Sequence, residues 1–246
     1  LYGKTRRWTM TERGAAAVDQ SADYFRVGPS YLRWNSDNTL TVAIEEVGTP
    51  LPHRVRGEVQ LTPDFINARQ FTLDANARHH WRPIAPSARV EVNMGKPSLN
   101  WSGHAYFDTN AGAEPLEDGF TTWNWSRASL AGDTVILYDM QRRDRTPNAL
   151  ALRFDQQGDL HEFEAPADQP LPRTRWWRIA RSTQADAGYS PRIVQTLEDT
   201  PFYARSVIAT QVLGQPHTAI HESLSLERFR TRWVQSLLTY RMPRRA

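Results

Sequence analysis

Apolar and polar side chains alternate with a period of two through most of the chain. In 54–61, Val55, Gly57, Val59 and Leu61 fall on one side and Arg54, Arg56, Glu58 and Gln60 on the other. The same pattern sets Leu40, Val42 and Ile44 against Thr41, Ala43 and Glu45, and Ala88, Val90, Val92 and Met94 against Arg89, Glu91 and Asn93. This is the period of a half-buried antiparallel strand, in which successive side chains point to opposite faces. Turn residues punctuate the runs at 28–29, 36–38, 48–50, 156–158 and 214–216. That spacing suits barrels or sandwiches rather than βαβ units. The expected class is all-β.

Two stretches break the pattern. The first, 109–121, holds Asn110, Gly112, Glu114, Pro115, Glu117, Asp118 and Gly119, and its polarity predicts a connecting loop. Strands resume at Trp123, so the loop divides the chain into halves of similar size, 1–114 and 115–246. The second is the tail, where Leu226, Phe229, Trp233, Leu237 and Tyr240 recur at helical spacing behind a possible cap at Ser225. Arg228, Arg230, Arg232, Arg241, Arg244 and Arg245 accompany them. A basic amphipathic helix of this kind either lies in a lipid interface or packs its apolar stripe on the sheet and leaves a solvated basic end.

Composition narrows the chemistry. The chain has 246 residues, enough for one large β domain or two small ones. Its net charge of +3 is too mild to indicate nucleic-acid binding. With no cysteine there are no disulfides, thiol nucleophiles or thiolate metal sites, which fits a reducing compartment. No apolar run reaches the ~20 residues of a membrane-spanning helix, and 1–4 does not open a signal peptide. Nine Trp, eight Tyr and nine Phe in so polar a chain line a core or an apolar ligand pocket. Nothing in the sequence bears on oligomeric state.

The densest chemical cluster lies at 101–110. On a strand, His104, Tyr106 and Asp108 share one face, while Trp101, Gly103, Ala105 and Phe107 share the other. A carboxyl beside a phenol and an imidazole suits acid catalysis, because burial among aromatic rings keeps a carboxyl protonated. The plain alternative is a solvated polar face with Asp108 capping the following turn. His79 and His80 follow Asp74, but adjacent strand histidines point apart and no metal-ligand motif completes a set. One imidazole is then available to hold a water or orient an acid, and Trp81 to offer its ring to a cation. Glu114, Glu117, Asp118, Glu198 and Asp199 raise a carbohydrate-active alternative built on paired carboxylates. Motifs for serine hydrolases, phosphate loops and dinucleotide binding are absent.

Several strings, taken in order, resemble the bacterial carotenoid 1,2-hydratases, also called hydroxyneurosporene synthases. They are Leu-Tyr-Gly at 1–3, Arg-Trp-Thr-Met-Thr-Glu-Arg-Gly at 7–14, Gly-Thr-Pro-Leu-Pro-His-Arg-Val-Arg-Gly at 48–57 and Trp-Arg-Pro-Ile-Ala-Pro at 81–86. Gly-His-Ala-Tyr-Phe-Asp follows at 103–108, Glu-Pro-Leu-Glu-Asp-Gly-Phe at 114–120 and Thr-Leu-Glu-Asp-Thr-Pro-Phe-Tyr-Ala-Arg at 196–205. His-Glu-Ser-Leu-Ser-Leu at 221–226 and Arg-Met-Pro-Arg-Arg at 241–245 complete the set. Long collinear strings of this kind are more specific than any single motif.

The resemblance implies hydration of the terminal C1–C2 double bond of acyclic carotenoids such as neurosporene and lycopene, with no redox or metal cofactor. It also implies paired lipocalin-like antiparallel β-barrel domains, 1–114 and 115–246, with a short C-terminal helix. By the same resemblance Asp108 is the acid, supported by Tyr106, His79 and Trp81. In the expected reaction Asp108 protonates C2, the faces of Trp81 and Tyr106 shelter the cation at C1, and His79 handles the water. A carotenoid resides in the bilayer, which favours the membrane-docking reading of the tail and a cytoplasmic protein peripheral to the inner membrane. Family members carry a further apolar and aromatic segment ahead of the Leu-Tyr-Gly string. The rival readings are a lipocalin-like polyene carrier, which needs no acid, and the carbohydrate-active protein.

Overall fold

The computed structural model describes residues 1, 7–48, 51–237 and 242–244. The chain opens with β1 (Thr11–Arg13), β2 (Val18–Gln20), β3 (Tyr24–Val27), β4 (Ser30–Trp34) and β5 (Leu40–Val47). It continues with β6 (Arg54–Pro63), β7 (Phe71–Thr72), β8 (His79–Lys96) and β9 (Ser98–Gly112), followed by the one-turn helix α1 (Leu116–Gly119). Next come β10 (Phe120–Leu130), β11 (Asp133–Arg142), β12 (Pro147–Phe154), β13 (Leu160–Glu162), β14 (Asp168–Leu171) and β15 (Arg181–Gln184). The last elements are β16 (Arg192–Asp199), β17 (Tyr203–Val212), β18 (Gln215–Ser225), α2 (Leu226–Phe229), α3 (Arg232–Leu237) and β19 (Met242–Arg244). The protein is nearly all β, as the two-residue period requires.

Two antiparallel sheets carry most of it. One runs β2-β3-β4-β5-β6-β8-β7 with β9 also on β8, and the other runs β13-β12-β11-β10-β18-β17-β16. The alternation read at 88–94 holds in β8, where Ala88, Val90, Val92 and Met94 are buried and Arg89, Glu91 and Asn93 exposed. Hairpins form where the backbone can turn left-handed. Ala131 and Gly132 have positive φ between β10 and β11, and Leu213 and Gly214 between β17 and β18. The second turn places an apolar side chain in a strained region, and Asp186 holds it by accepting from the N–H groups of Leu213 (3.1 Å) and Gly214 (2.7 Å). Of the five turns read from sequence, the one at 48–50 includes Thr49 and Pro50, which lie outside the described residues.

Chain contacts divide into two compact units. The first comprises Leu1–Ile66, Ala85–Phe107 and Ser236–Ala246, and the second Asn67–Ile84 and Asp108–Gln235. The division therefore falls within β8 and β9, and position 114 lies inside the second unit. In the first unit Leu40, Leu61, Ala85 and Ala88 pack with Trp34, Ala105 and Phe107, so part of the odd-numbered face of β9 packs on the core while Trp101 stays exposed. In the second, Leu130, Val135, Leu137, Ala151 and Val212 form one cluster and Ala128, Leu171, Ile208 and Ala219 another.

The structure departs from the sequence reading in two places. Residues 109–112 continue β9 rather than opening a loop, and the ladder runs on through a bond from Ala113 N–H to the Arg78 carbonyl, 2.8 Å. Small residues allow this, because a Cβ on Gly112 would lie 3.0 Å from the His79 ring. The tail, expected as one helix, is two short ones. Ser225 caps the first by accepting from Arg228 N–H (3.4 Å). The Thr231 hydroxyl then donates to the Arg228 carbonyl (2.6 Å), taking the acceptor that a continuing helix needs for the amide of Arg232. Leu226 and Val234 are buried, whereas Trp233 and Leu237 of the expected stripe are exposed. Leu238, Tyr240, Arg241 and Arg245 of the expected tail lie outside the described residues, as do Tyr2 and Gly3 of the opening string.

Candidate active site

The site is assembled at the start of β8. Asp74 ends the segment after β7, and its Oδ1 accepts from the N–H groups of Asn76 (2.9 Å) and Arg78 (3.2 Å). Its Oδ2 accepts from the backbone N–H (2.7 Å) and the ring Nδ1 (3.1 Å) of His79. Partial burial pushes the Asp74 carboxyl up, but the hydrogen bonds from Arg78, His79 and Asn76 outweigh it and hold it below its ordinary value. A histidine whose Nδ1 faces a carboxylate carries its proton there, which leaves Nε2 as an acceptor. His79 Nε2 is buried and has no hydrogen-bond partner among the described residues. The ring rests edge-on against Phe120, centroids 5.0 Å apart, and a Cβ on Gly119 would stand 2.7 Å from its Cε1. The glycines at 112 and 119 thus leave room for this imidazole.

Trp81 lies two residues along the same strand and on the same face, with 1% of its surface exposed. Its Nε1–H donates to Asp108 Oδ2 at 2.8 Å. Phe71, its register partner on β7, packs on it at 5.6 Å, and Tyr138 of β11 meets it edge-on at 5.2 Å. The Trp123 ring reaches Tyr138 at 5.8 Å. Burial first, then the charges of Asp108 and Glu222, drive the Tyr138 hydroxyl far above its ordinary value, so it stays a neutral donor. Glu222 in turn pairs with Arg205 at 2.6 Å. The half-buried Asp108 is therefore held by an indole N–H with a neutral phenol nearby.

Of the four residues expected at the site, His79, Trp81 and Asp108 belong to the second unit; Trp81 bonds Asp108, and His79 lies two residues before Trp81 on β8. Tyr106, two residues earlier on β9, is half-buried and belongs to the first unit. His104 is exposed. Among the described residues no group of three or more His, Asp or Glu has the arrangement of a metal site. Of the carboxylates weighed for sugar chemistry, Glu117 and Asp118 lie in α1 and Glu198 and Asp199 in β16; Glu114 pairs with Arg78, and Asp199 accepts from the backbone N–H groups of Trp176 and Trp177. Sequence reasoning missed Tyr138 and Trp123, which sit in ordinary strand runs with no local signal. Asp74, weighed only as a metal neighbour, was legible as a turn-forming aspartate ahead of Asn76 and Arg78.

Comparison with known proteins shows the family of the chain. The family model described as carotenoid hydratase CrtC matches residues 1–246. The acyclic carotenoid 1,2-hydratase of Thiocapsa roseopersicina is 51% identical over 99% of this chain and 60% of its own length. That of Rubrivivax gelatinosus is 45% identical over 100% of this chain and 61% of its own. The chain thus spans about three-fifths of the length of these two relatives. Among solved structures, a candidate AttH from Nitrosomonas europaea superposes with a TM-score of 0.58 at 15% identity, covering 86% of this chain and 72% of that one. At that identity the likeness speaks for the fold alone.

Proposed function

The chain belongs to the carotenoid hydratase CrtC family, and from that premise we propose that it adds water across the terminal C1–C2 double bond of an acyclic carotenoid such as neurosporene or lycopene. The observation that carries this reading is the hydrogen bond from buried Trp81 to Asp108, because it fixes one oxygen of a carboxyl beside aromatic rings. Trp81 holds Oδ2, and the proposed acid step uses a proton borne by the Asp108 carboxyl. Asp108 gives that proton to C2, the π electrons form the new C–H bond, and positive charge develops at C1, the more substituted carbon. Trp81 acts as a positioning residue, with Tyr138 as a neutral dipole beside the acid.

Water then attacks C1 and passes a proton to His79 Nε2, whose other nitrogen is anchored by Asp74. Returning that proton through solvent to Asp108 closes the cycle, and the sum is addition of one water with no redox change. The route draws on protein side chains alone and needs no cofactor. The rings of Phe71 and Tyr138 around Trp81 present no base that would return the cation to alkene. A polyene carrier would have no use for an acid held in this way.

Because the substrate is a hydrocarbon of the bilayer, the protein works at a membrane surface, peripheral to the inner membrane on its cytoplasmic side. No helix among the described residues is long and apolar enough to cross a membrane. The test is incubation with lycopene or neurosporene in vesicles, with mass analysis in oxygen-labelled water. The product should gain one water carrying the label. Recovery of unchanged carotenoid, bound but unhydrated, would leave the carrier in place of the enzyme.

A further inference from the structure

The segment 173–178, Arg-Thr-Arg-Trp-Trp-Arg, joins β14 to β15 and holds two tryptophans out of the fold. Trp176 is 76% exposed, Trp177 38%, and Trp233 of α3 50%. The rings of Trp177 and Trp233 lie nearly parallel, 22° apart in plane with centroids at 5.9 Å, and the Arg175 guanidinium sits 5.3 Å from the centre of Trp176.

The display is rigidly built. Thr174 and Ile179 are buried at the base, where Thr174 N–H donates to the Ile179 carbonyl (3.1 Å) and Ile179 N–H donates to Thr174 Oγ1 (2.8 Å). Both Asp199 oxygens are engaged by the loop, accepting from Trp176 N–H at 2.8 Å and Trp177 N–H at 3.3 Å. Arg173 donates to the Arg178 carbonyl (3.2 Å), and Arg228 donates to the carbonyl of Trp177. Exposed indoles gathered in one patch on a loop tied by this many bonds have the character of an interaction surface.

We propose that the 173–178 loop and Trp233 together form the surface that docks on an anionic phospholipid bilayer. This deepens the membrane reading given above and rests on it. Indoles settle at the headgroup level, where an apolar body and an N–H are both satisfied. Arg173, Arg175 and Arg178 belong to the loop itself, Arg228 bonds to it, and Arg232 precedes Trp233 in the chain, while Arg230 lies 3.7 Å from Asp118; guanidinium matches phosphate in both charge and geometry. Nearby acids are already occupied, Asp199 by the loop and Glu227 by Arg143 at 2.6 Å. A cleft of about 330 Å³ adjoins this surface, and Arg173 and Arg228 are among its lining residues.

The test is flotation of the 246-residue chain with vesicles of phosphatidylcholine plus phosphatidylglycerol, against phosphatidylcholine alone, in parallel with turnover of detergent-solubilised lycopene. Wild type should float with the anionic vesicles and release as salt rises. The Trp176→Ser/Arg175→Ser variant changes exposed groups only and should melt like wild type. It should partition at least about tenfold more weakly and keep its detergent turnover. If the variant floats as well as wild type, this surface is wrong although membrane docking stands. If wild type does not float at all, both the surface and the membrane reading fall, while detergent turnover alone still decides the hydratase. A wild-type dimer that the variant splits, with no flotation, would instead assign the tryptophans to a second copy of the chain.

Discussion

At the scale of single residues, the proposed reaction concentrates on Asp108 and His79. Asp108→Asn retains an acceptor for the Trp81 N–H but has no acidic proton, so turnover should fall by at least about 10²–10⁴-fold with carotenoid binding retained. Near-native turnover would remove Asp108 from the role. Tyr138→Phe keeps both edge contacts and deletes only the hydroxyl coupled to Asp108 and Glu222. Its kcat should drop between about 10- and 10²-fold with little change in KM, and an unchanged kcat would make Tyr138 mere packing. Another titratable residue, His221, bears on stability. Burial first, and the like charge of Arg181 with it, depress its pKa to about 4, against the Nε2–H bond to the Ser182 carbonyl (2.7 Å). Between about 6.5 and about 4 the unfolded chain binds a proton that the folded one refuses, so stability is full above that window and falls on acidification, by on the order of 3 kcal/mol. Urea midpoints at the two ends of the window should show the loss, and His221→Gln should flatten it.

At the scale of elements, β8 determines where the chemistry stands. A two-residue step puts His79 and Trp81 on one face, while the short helix α1 and the end of β9 bring glycines against the imidazole. Gly119→Ala would drive a methyl into His79 Cε1, so the ring must turn away from its bond to Asp74. We expect kcat to fall with KM nearly constant, at a stability cost of about 1–3 kcal/mol. A variant with native kcat would show that the ring position is not critical. The tail shows how a local hydrogen bond overrides periodicity. Helical spacing was legible from Leu226 onward, but the Thr231 hydroxyl spends the Arg228 carbonyl and the helix restarts as a separate turn. That break turns Val234 inward and leaves Trp233 outside, the reverse of what a single continuous stripe predicts.

At the scale of the whole molecule, an enzyme for a bilayer substrate must combine a surface that lipid attracts with a site that excludes water. If arginines hold the protein to anionic vesicles, salt should lower turnover on vesicle-borne carotenoid and leave turnover in detergent micelles nearly constant, because screening weakens only the exposed attraction. Equal salt sensitivity in both media would locate the effect in the chemistry instead. The strand-rich class was legible because burial on one face of a sheet imposes a period of two that no other element shares, and β5, β6 and β8 carry it openly. The proposed acid was legible as a motif, since Asp108 lies in a string whose neighbours resemble a known family. Tyr138 and Trp123 were not, because a tyrosine or tryptophan in an apolar strand looks the same whether it fills a core or faces a carboxyl.

Sequence by itself determined the β architecture, most of the turns, the helical character of the tail and the identity of the candidate acid, all of which depend on residues near one another in the chain. Tertiary structure alone decided that an indole N–H from β8 holds that acid, that Asp74 fixes the histidine tautomer, and that a loop nearly sixty residues ahead of Trp233 stacks its own tryptophan there. These are pairings across strands, and which side chains meet is set by register and sheet order, quantities that periodicity along a single strand does not contain.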